Sequence, residues 1–98
     1  MSAEVRAEII ANQSVQEDII EALDGLIEKF EYTILPVVHG KGLSSSKLGD
    51  TVWPEQNFIL FSYTTKEIAK KIKEAVANVY KKFPNEGIVL YFTPVVEI

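Results

Sequence analysis

Two glycines and two lysines give this chain its clearest potential for binding chemistry: Gly40, Lys41 and Gly42 are consecutive, and Lys47 follows. Glycines permit positive φ and let backbone amides approach an anion closely, and lysines add positive charge. The spacing is not that of a Walker A loop, because Lys41 is followed by glycine rather than serine or threonine. The pattern is therefore only a weak indication of an anion-binding site. The alternative is that the glycines only turn the chain out of a sheet.

His39 is the only histidine, and it directly precedes this glycine pair. As a metal ligand it would need carboxylates or symmetry-related copies, and Asp50, Glu55 and Glu86 are the candidate carboxylates. The chain has no cysteine, which excludes a thiolate metal site and a thiol nucleophile. Because no nucleophile has a recognisable base beside it, we expect no enzyme activity.

These residues open a stretch at about 40–56 that has neither helical nor strand periodicity. A loop of about 16 residues is uncommon in a compact domain and is usually functional. We assign Leu43, Ser45 and Trp53 to partner binding, with Trp53 or Leu43 as the apolar anchor, since a tryptophan in a loop can anchor a partner. The alternatives are that Trp53 fastens the loop to the body of the domain, and that the serines are a flexible or modifiable segment.

The rest of the chain is patterned as two strand–helix–strand halves. Residues 5–11 alternate in polarity like a strand, and two later segments repeat one helical pattern at an offset of 49 residues, from Ile19 to Ile68. The apolar positions are Ile19, Ile20, Leu23, Leu26, Ile27 and Phe30, then Ile68, Ala69, Ile72, Ala75, Val76 and Val79. This duplication predicts an α+β, ferredoxin-like βαββαβ fold, a four-stranded antiparallel sheet with two helices on one face. Ser14 with Glu17, and Thr64 with Glu67, predict capping boxes at the helix starts.

The remaining strands are apolar on both alternating sets of residues, in segments 34–38, 57–63 and 88–92. Two helices cover one face of a sheet, so the other face would expose an apolar patch unusually large for a monomer. We therefore predict a homo-oligomer that associates through that face.

Composition sets the remaining expectations. A chain of 98 residues is predicted to form a single domain, residues 1–98. The net charge of −4, with mixed signs along the helices, argues against a nucleic-acid partner. No signal peptide or membrane-spanning segment is recognisable, so we expect a cytoplasmic protein without membrane insertion.

The architecture and several local features together resemble the PII superfamily of nitrogen regulatory proteins, in its divergent PII-like branches. The resemblance is carried by the duplicated halves, Tyr32-Thr33 at the second strand, Gly40-Lys41-Gly42 at its end, and the long loop that follows. It implies a homotrimer that binds adenine nucleotides or related effectors in clefts between subunits. It also implies that the long loop, the T-loop of that family, docks onto an enzyme or transporter.

Carried over by position, the resemblance assigns ligand-binding residues. His39, Gly40, Lys41 and Gly42 match the T-loop base, Thr33 matches a threonine near the adenine, and Gly87 lies in the place of the phosphate-binding B-loop. The sequence departs from the family in lacking the other B-loop glycines. With Lys47, the predicted ligand set is Thr33, His39, Gly40, Lys41, Gly42, Lys47 and Gly87. The CutA-type divalent-cation tolerance family is a second resemblance; it implies a trimer that binds metal through His39 and carboxylates.

Overall fold

A computed structural model of the protein describes residues 2–41 and 55–98. In chain order the elements are β1 (Val5–Asn12), a 3-10 turn (Gln13–Val15), α1 (Gln16–Leu26), β2 (Thr33–Gly40), β3 (Glu55–Thr64), α2 (Lys66–Lys82) and β4 (Ile88–Pro94). Gly40 and Glu55 are thus strand residues, so the loop predicted at about 40–56 is shorter at both ends. Within the described ranges, neither helix is long and apolar enough to cross a bilayer.

The four strands form one antiparallel sheet in the order β2-β3-β1-β4. Alternate residues of the central strands, such as Ile9 and Leu60, are almost fully buried, and they pack with Ile19 and Ile72 of the helices in one core. The two helices also pack against each other. Both helices therefore cover the same face, and the predicted ferredoxin-like α+β fold is confirmed.

The opposite face of the sheet, which we call the open face, is not covered by any described element. In the cross-strand register its side chains include Arg6, Glu8, Ile10, Asn12, Thr33, Leu35, Val38, Asn57, Ile59, Phe61, Tyr63, Val89, Tyr91 and Thr93. Leu35 is 46% exposed, Val89 41% and Tyr91 59%. The sheet thus carries a second apolar surface, as the strand patterning predicts.

The helix starts differ from the predicted capping boxes. Thr65, not Thr64, caps α2, because its Oγ1 accepts a hydrogen bond from the Ile68 amide at 3.2 Å. Ser14 caps nothing; it lies inside the 3-10 turn, and α1 begins after Val15 without a side-chain cap. Both capping predictions were wrong. Each helix start has several neighbouring hydroxyl or amide side chains, and only the backbone geometry decides which side chain reaches a free backbone amide.

The end of the first helix also differs from the periodic pattern. The hydrophobic periodicity extends to Phe30, but α1 ends at Leu26. Ile27 is already extended, with φ of −124° and ψ of 112°, and Lys29 follows with φ of +55°, in the left-handed region that an L-residue rarely adopts. Phe30 still packs on the core from the connecting segment.

A β-bulge shapes the edge strand β2. Leu35 pairs with Ile59, but the next pair is Val38 with Asn57, so β2 has one extra residue here. A bulge leaves a carbonyl without its ladder partner, and Gln13 satisfies it by donating from Nε2 to the Pro36 oxygen at 2.6 Å. Pro36, which has no N–H to contribute, suits this position on an edge strand.

Candidate functional site

The predicted loop base lies at the end of β2. Gly40 pairs with Glu55 of β3, and a Cβ built on Gly40 would lie only 2.6 Å from Nδ2 of Asn57. Glycine is therefore what allows the Asn57 side chain to lie against the strand at this point. Lys41 follows and is exposed, as is His39. A cation and an amide side chain are thus available where the chain leaves the sheet.

The same end of the sheet also holds the turn between α2 and β4. The Ser14 hydroxyl donates to Oε1 of Glu86 at 2.9 Å, and the Ser14 amide donates to Oδ1 of Asn12 at 2.9 Å. The first bond holds the Glu86 carboxylate, which neighbours Gly87 in the turn, and the second bond orients Ser14. Since like charges repel, a carboxylate here makes the turn a poor place for a phosphate.

The predicted ligand residues do not converge within one chain. Gly40 and Gly87 flank opposite edges of the sheet, three strand spacings or roughly 14 Å apart. Thr33 is seven residues from Gly40 at the far end of β2, roughly 20 Å away. A single small ligand cannot contact Thr33 and the loop base of the same chain.

Thr33 instead lies in an aromatic depression of about 210 Å³. Its lining consists of Glu31, Tyr32, Thr33, Phe61, Ser62 and Tyr63. The wall is held by a hydrogen bond from the buried Ser62 hydroxyl to the Glu31 carbonyl at 2.7 Å. Thr33 and Tyr32 are both exposed, so a hydroxyl and aromatic surface are accessible together. The sequence reasoning singled out Tyr32 and Thr33 but missed Phe61 and Tyr63, which only the β2–β3 register brings beside them.

A polar cluster that sequence reasoning also missed lies on the open face next to this depression. The Arg6 guanidinium donates to Oε1 of Glu8 at 2.9 Å and to the Tyr63 hydroxyl at 3.1 Å. It also lies over the Phe61 ring, 4.2 Å from the centroid. Both hydrogen bonds raise the pKa of Arg6, and the bond to Glu8 has the larger effect. The signal available in the sequence was the alternation of Arg6 with Glu8, the only charges on one face of β1.

Several predicted site residues fall outside the described ranges. These are Gly42 and Lys47 of the ligand set, Leu43, Ser45 and Trp53 of the partner set, and the candidate carboxylate Asp50. Within residues 2–41 and 55–98, no group of three or more histidine, cysteine or acidic side chains is close enough to hold a metal ion.

Comparison with known proteins finds similar structures but no matching sequence. No protein-family model and no curated protein sequence matches the chain. A PII-like signalling protein from Thermus thermophilus superposes with a TM-score of 0.66 at 21% identity, covering 96% of this chain and 88% of that one. CPII from Thiomonas intermedia, a nitrogen regulatory PII-like protein, superposes with a TM-score of 0.61 at 17% identity. The match covers 97% of this chain and 94% of CPII. That CPII structure contains ADP, AMP and bicarbonate. The chain therefore has the fold of PII-like signalling proteins, as the resemblance in its sequence predicts.

Proposed function

We propose that this protein is a cytoplasmic, non-enzymatic regulator of the PII-like type. It assembles as a homotrimer through the open face and binds an adenine nucleotide or a related anionic effector in the cleft between subunits. Effector binding changes the populations of the long loop, which docks onto a partner enzyme or transporter. Such a shift requires that the effector bind the two loop states with different affinities.

The separation of the candidate ligand residues carries this proposal. Thr33 and the Gly40–Lys41 loop base lie at opposite ends of β2, roughly 20 Å apart. The two can serve one ligand if the aromatic depression of one subunit meets the loop base of another. A cleft between two copies would therefore allow one ligand to contact residues that lie far apart within a single chain. An assembly through the open face would bring the copies together.

The chemistry of the two half-sites fits a nucleotide. The depression around Thr33 offers Tyr32, Phe61 and Tyr63, and aromatic rings are favourable neighbours for a base. The loop base offers Lys41 as the cation for a phosphate. Because Glu86 is fixed beside Gly87, we expect the phosphates to be bound by the loop base rather than by the α2–β4 turn.

The effectors seen in a related fold suggest which ligands to test. CPII binds ADP, AMP and bicarbonate. By extension we propose an adenine nucleotide for this chain, with a small carboxylate or bicarbonate as a second anion. All of these ligands are negatively charged, in keeping with a lysine at the loop base.

The proposal is tested by isothermal titration calorimetry of ADP and AMP, each with and without bicarbonate. We expect saturable binding at one site per subunit and a higher melting temperature with ligand, since the ligand binds only the folded protein. Lys41→Ala should weaken ADP binding by roughly 10- to 150-fold, because a hydrogen bond to a charged group contributes about 1.5–3 kcal/mol. The matched control is Lys70→Ala, on the exposed side of α2. Absence of binding to any of these ligands would overturn the nucleotide proposal.

A second experiment tests the composite nature of the cleft. Thr33→Ala and Lys41→Ala are each expected to weaken ADP binding as separate variants. Mixed with each other, the two proteins should regain some intact clefts, because one subunit supplies Thr33 and its neighbour supplies Lys41. If the mixture binds no better than the mean of the two variants, Thr33 and Lys41 do not share a cleft between subunits.

A further inference from the structure

We propose that a groove between α2 and β4 is a second ligand site, and that it binds an amphiphilic anion whose apolar body is roughly 10 Å long. This site is separate from the proposed effector cleft, because it lies on the helix side of the sheet and none of its lining residues belongs to the predicted ligand set. We call it the edge groove. It has a volume of about 560 Å³ and is lined by Lys73, Val76, Ala77, Tyr80, Ile88, Leu90 and Phe92.

The edge groove is a gap in the cover that the helices give the sheet. β4 is an edge strand, and Phe92 lies on its helix side, since it pairs with the buried Ala7 of β1. On the opposite wall, Ala77 of α2 contributes only a methyl group. Phe92 and Tyr80 remain 37% and 49% exposed. Apolar and aromatic surface is therefore accessible directly beside the closed core.

α2 is a basic helix in an acidic chain. It holds six of the ten basic residues and two of the 14 acidic residues, although the whole chain has a net charge of −4. Its acidic residues, Glu67 and Glu74, share one side of the helix with Lys71 and Asn78, because the spacings are three and four residues. None of these four residues lines the edge groove. The acidic side chains of α2 thus lie away from it.

The side of α2 that faces β4 carries positive charge only. Lys73, Ala77 and Tyr80 line the groove there. Lys70 and Lys66 continue this side towards the start of the helix, since they precede Lys73 by three and seven residues. The three lysines are exposed, and none forms an ion pair with another described residue. A negatively charged ligand is therefore favoured at this groove.

The edge groove has one charged end and one apolar end. α2 and β4 are joined by a short turn and run in opposite directions, so Lys73 lies towards Phe92 and Tyr80 lies towards Ile88. Lys73 and Tyr80 are seven residues apart, which is roughly 10 Å along the helix. An elongated ligand fits best with its anionic group at Lys73 and its apolar body along β4.

The size of the groove favours a small molecule over a protein partner. Its volume is within the range of roughly 300–1,000 Å³ that small-molecule sites occupy, and such sites are mostly apolar with a few polar groups. A standard protein interface uses about 20–30 residues on each side, several times the seven that line this groove. Carboxylate and phosphate groups both bind lysine. The ligand class is therefore a carboxylate or phosphate that carries an alkyl or acyl chain.

Isothermal titration calorimetry with decanoate and with decyl phosphate tests the site, and the tighter of the two identifies the head group. We expect saturable binding at one site per subunit. Decanoate should bind at least about tenfold more tightly than hexanoate, because each further buried methylene adds affinity. Decylammonium has the same chain and the opposite charge, and it should bind more weakly than decanoate. Saturable binding of neither decanoate nor decyl phosphate would overturn the proposal.

Two variants of α2 place the ligand in the groove. Ala77→Phe fills the groove and should weaken decanoate binding at least about tenfold, whereas Asn78→Phe adds the same ring on the other side of the helix and should not. Lys73→Glu should weaken decanoate binding at least about fivefold and strengthen decylammonium binding. Its matched control is Lys71→Glu, which makes the same charge change away from the groove.

The outcomes are distinguishable from those for the effector cleft. All four substituted positions are exposed, and circular dichroism identifies any variant that fails to fold. If Ala77→Phe fails to fold, Lys73→Glu decides. Decanoate binding that is the same in the groove variants and in their controls would show that the ligand does not occupy the edge groove. Thr33 and Lys41 are unchanged in these variants, so ADP titration of the same proteins tests the nucleotide proposal independently.

Discussion

The two faces of the sheet are built from the same strands, and adjacent residues have different environments. Ile9 of β1 is completely buried under the helices, whereas Ile10, its neighbour, lies on the open face and is only partly buried. Ile9 is paired with Leu60 and Leu90; Ile10 is paired with Ile59 and Val89, an equally apolar environment across the strands. Hydrophobicity alone therefore does not identify the core of this protein. What distinguishes the faces is whether the chain itself supplies a cover.

The covered face depends on helices that the chain positions locally. Thr65 caps α2, and the buried positions Ile72, Ala75 and Val79 then point towards the sheet. The open face has no equivalent element among the described residues. In the proposed assembly its cover comes from further copies of the chain, and this difference yields predictions for each face.

The largest expected effect comes from the matched pair on β1. Ile9→Ala should destabilise the protein by about 2–5 kcal/mol, because it leaves a cavity in the closed core. Ile10→Ala should cost less in the dissociated chain, since no cavity forms beside a partly exposed residue. Urea unfolding at low protein concentration measures both. Equal losses in the free energy of unfolding would mean that Ile10 is packed as tightly as Ile9 within one chain.

The next effect concerns assembly rather than folding. Val89→Asp introduces a charge into the aliphatic end of the open face and should yield a folded monomer, with a melting temperature that no longer depends on protein concentration. Val96→Asp makes the same change at a residue that is 90% exposed beyond β4 and should leave assembly intact. An unchanged oligomeric mass in Val89→Asp would show that the open face does not mediate association.

A smaller effect tests how the covered face is supported. Thr65→Ala should cost about 1 kcal/mol, because the Ile68 amide at the start of α2 loses its side-chain acceptor. Ser14→Ala should have no capping effect on α1, since no backbone amide is bonded to its hydroxyl in the described hydrogen bonds. Thermal unfolding of the two variants decides between this assignment and the capping boxes that the sequence suggested. Because Ser14→Ala also removes the hydrogen bond to Glu86, its matched control is Glu86→Ala, and a larger loss in Ser14→Ala than in Glu86→Ala would contradict the assignment.

The smallest effect concerns the bulge that leads to the loop base. Gln13→Ala removes the donor to the Pro36 carbonyl and should cost about 0.5–1.5 kcal/mol. The consequence should be local, with faster amide hydrogen exchange in β2 beyond the bulge and little change in β1. Gln16→Ala, at the start of α1, serves as the control. Uniformly faster exchange across the sheet would instead indicate that Gln13 supports the whole fold.

Much of the fold was predictable from the sequence because it follows from periodicity. The helical faces from Ile19 and Ile68 and the doubly apolar strands determine the two layers and the open face. The bulge at Pro36 and the cap at Thr65 were not predictable, since each depends on which of several neighbouring groups a particular backbone geometry brings within reach.

The candidate site was less accessible to sequence reasoning. Gly40 and Lys41 could be located at the end of β2 because a strand precedes them. The neighbours of Thr33 and the contacts of Arg6 depend on pairing between strands that are distant in sequence, which single-sequence patterns do not specify. The Ser14–Glu86 hydrogen bond likewise joins residues 72 positions apart. The assignments of Leu43, Ser45 and Trp53 to partner binding stay predictions.

The most direct test of the central claim, that the open face is covered by further copies of the chain, is the mass of the wild-type protein in solution. Light scattering after size exclusion, from high to low micromolar concentration, measures it. We predict a trimer of three times 11.0 kDa, or 33 kDa, which Val89→Asp reduces to 11.0 kDa. A wild-type mass of 11.0 kDa at every concentration would contradict it.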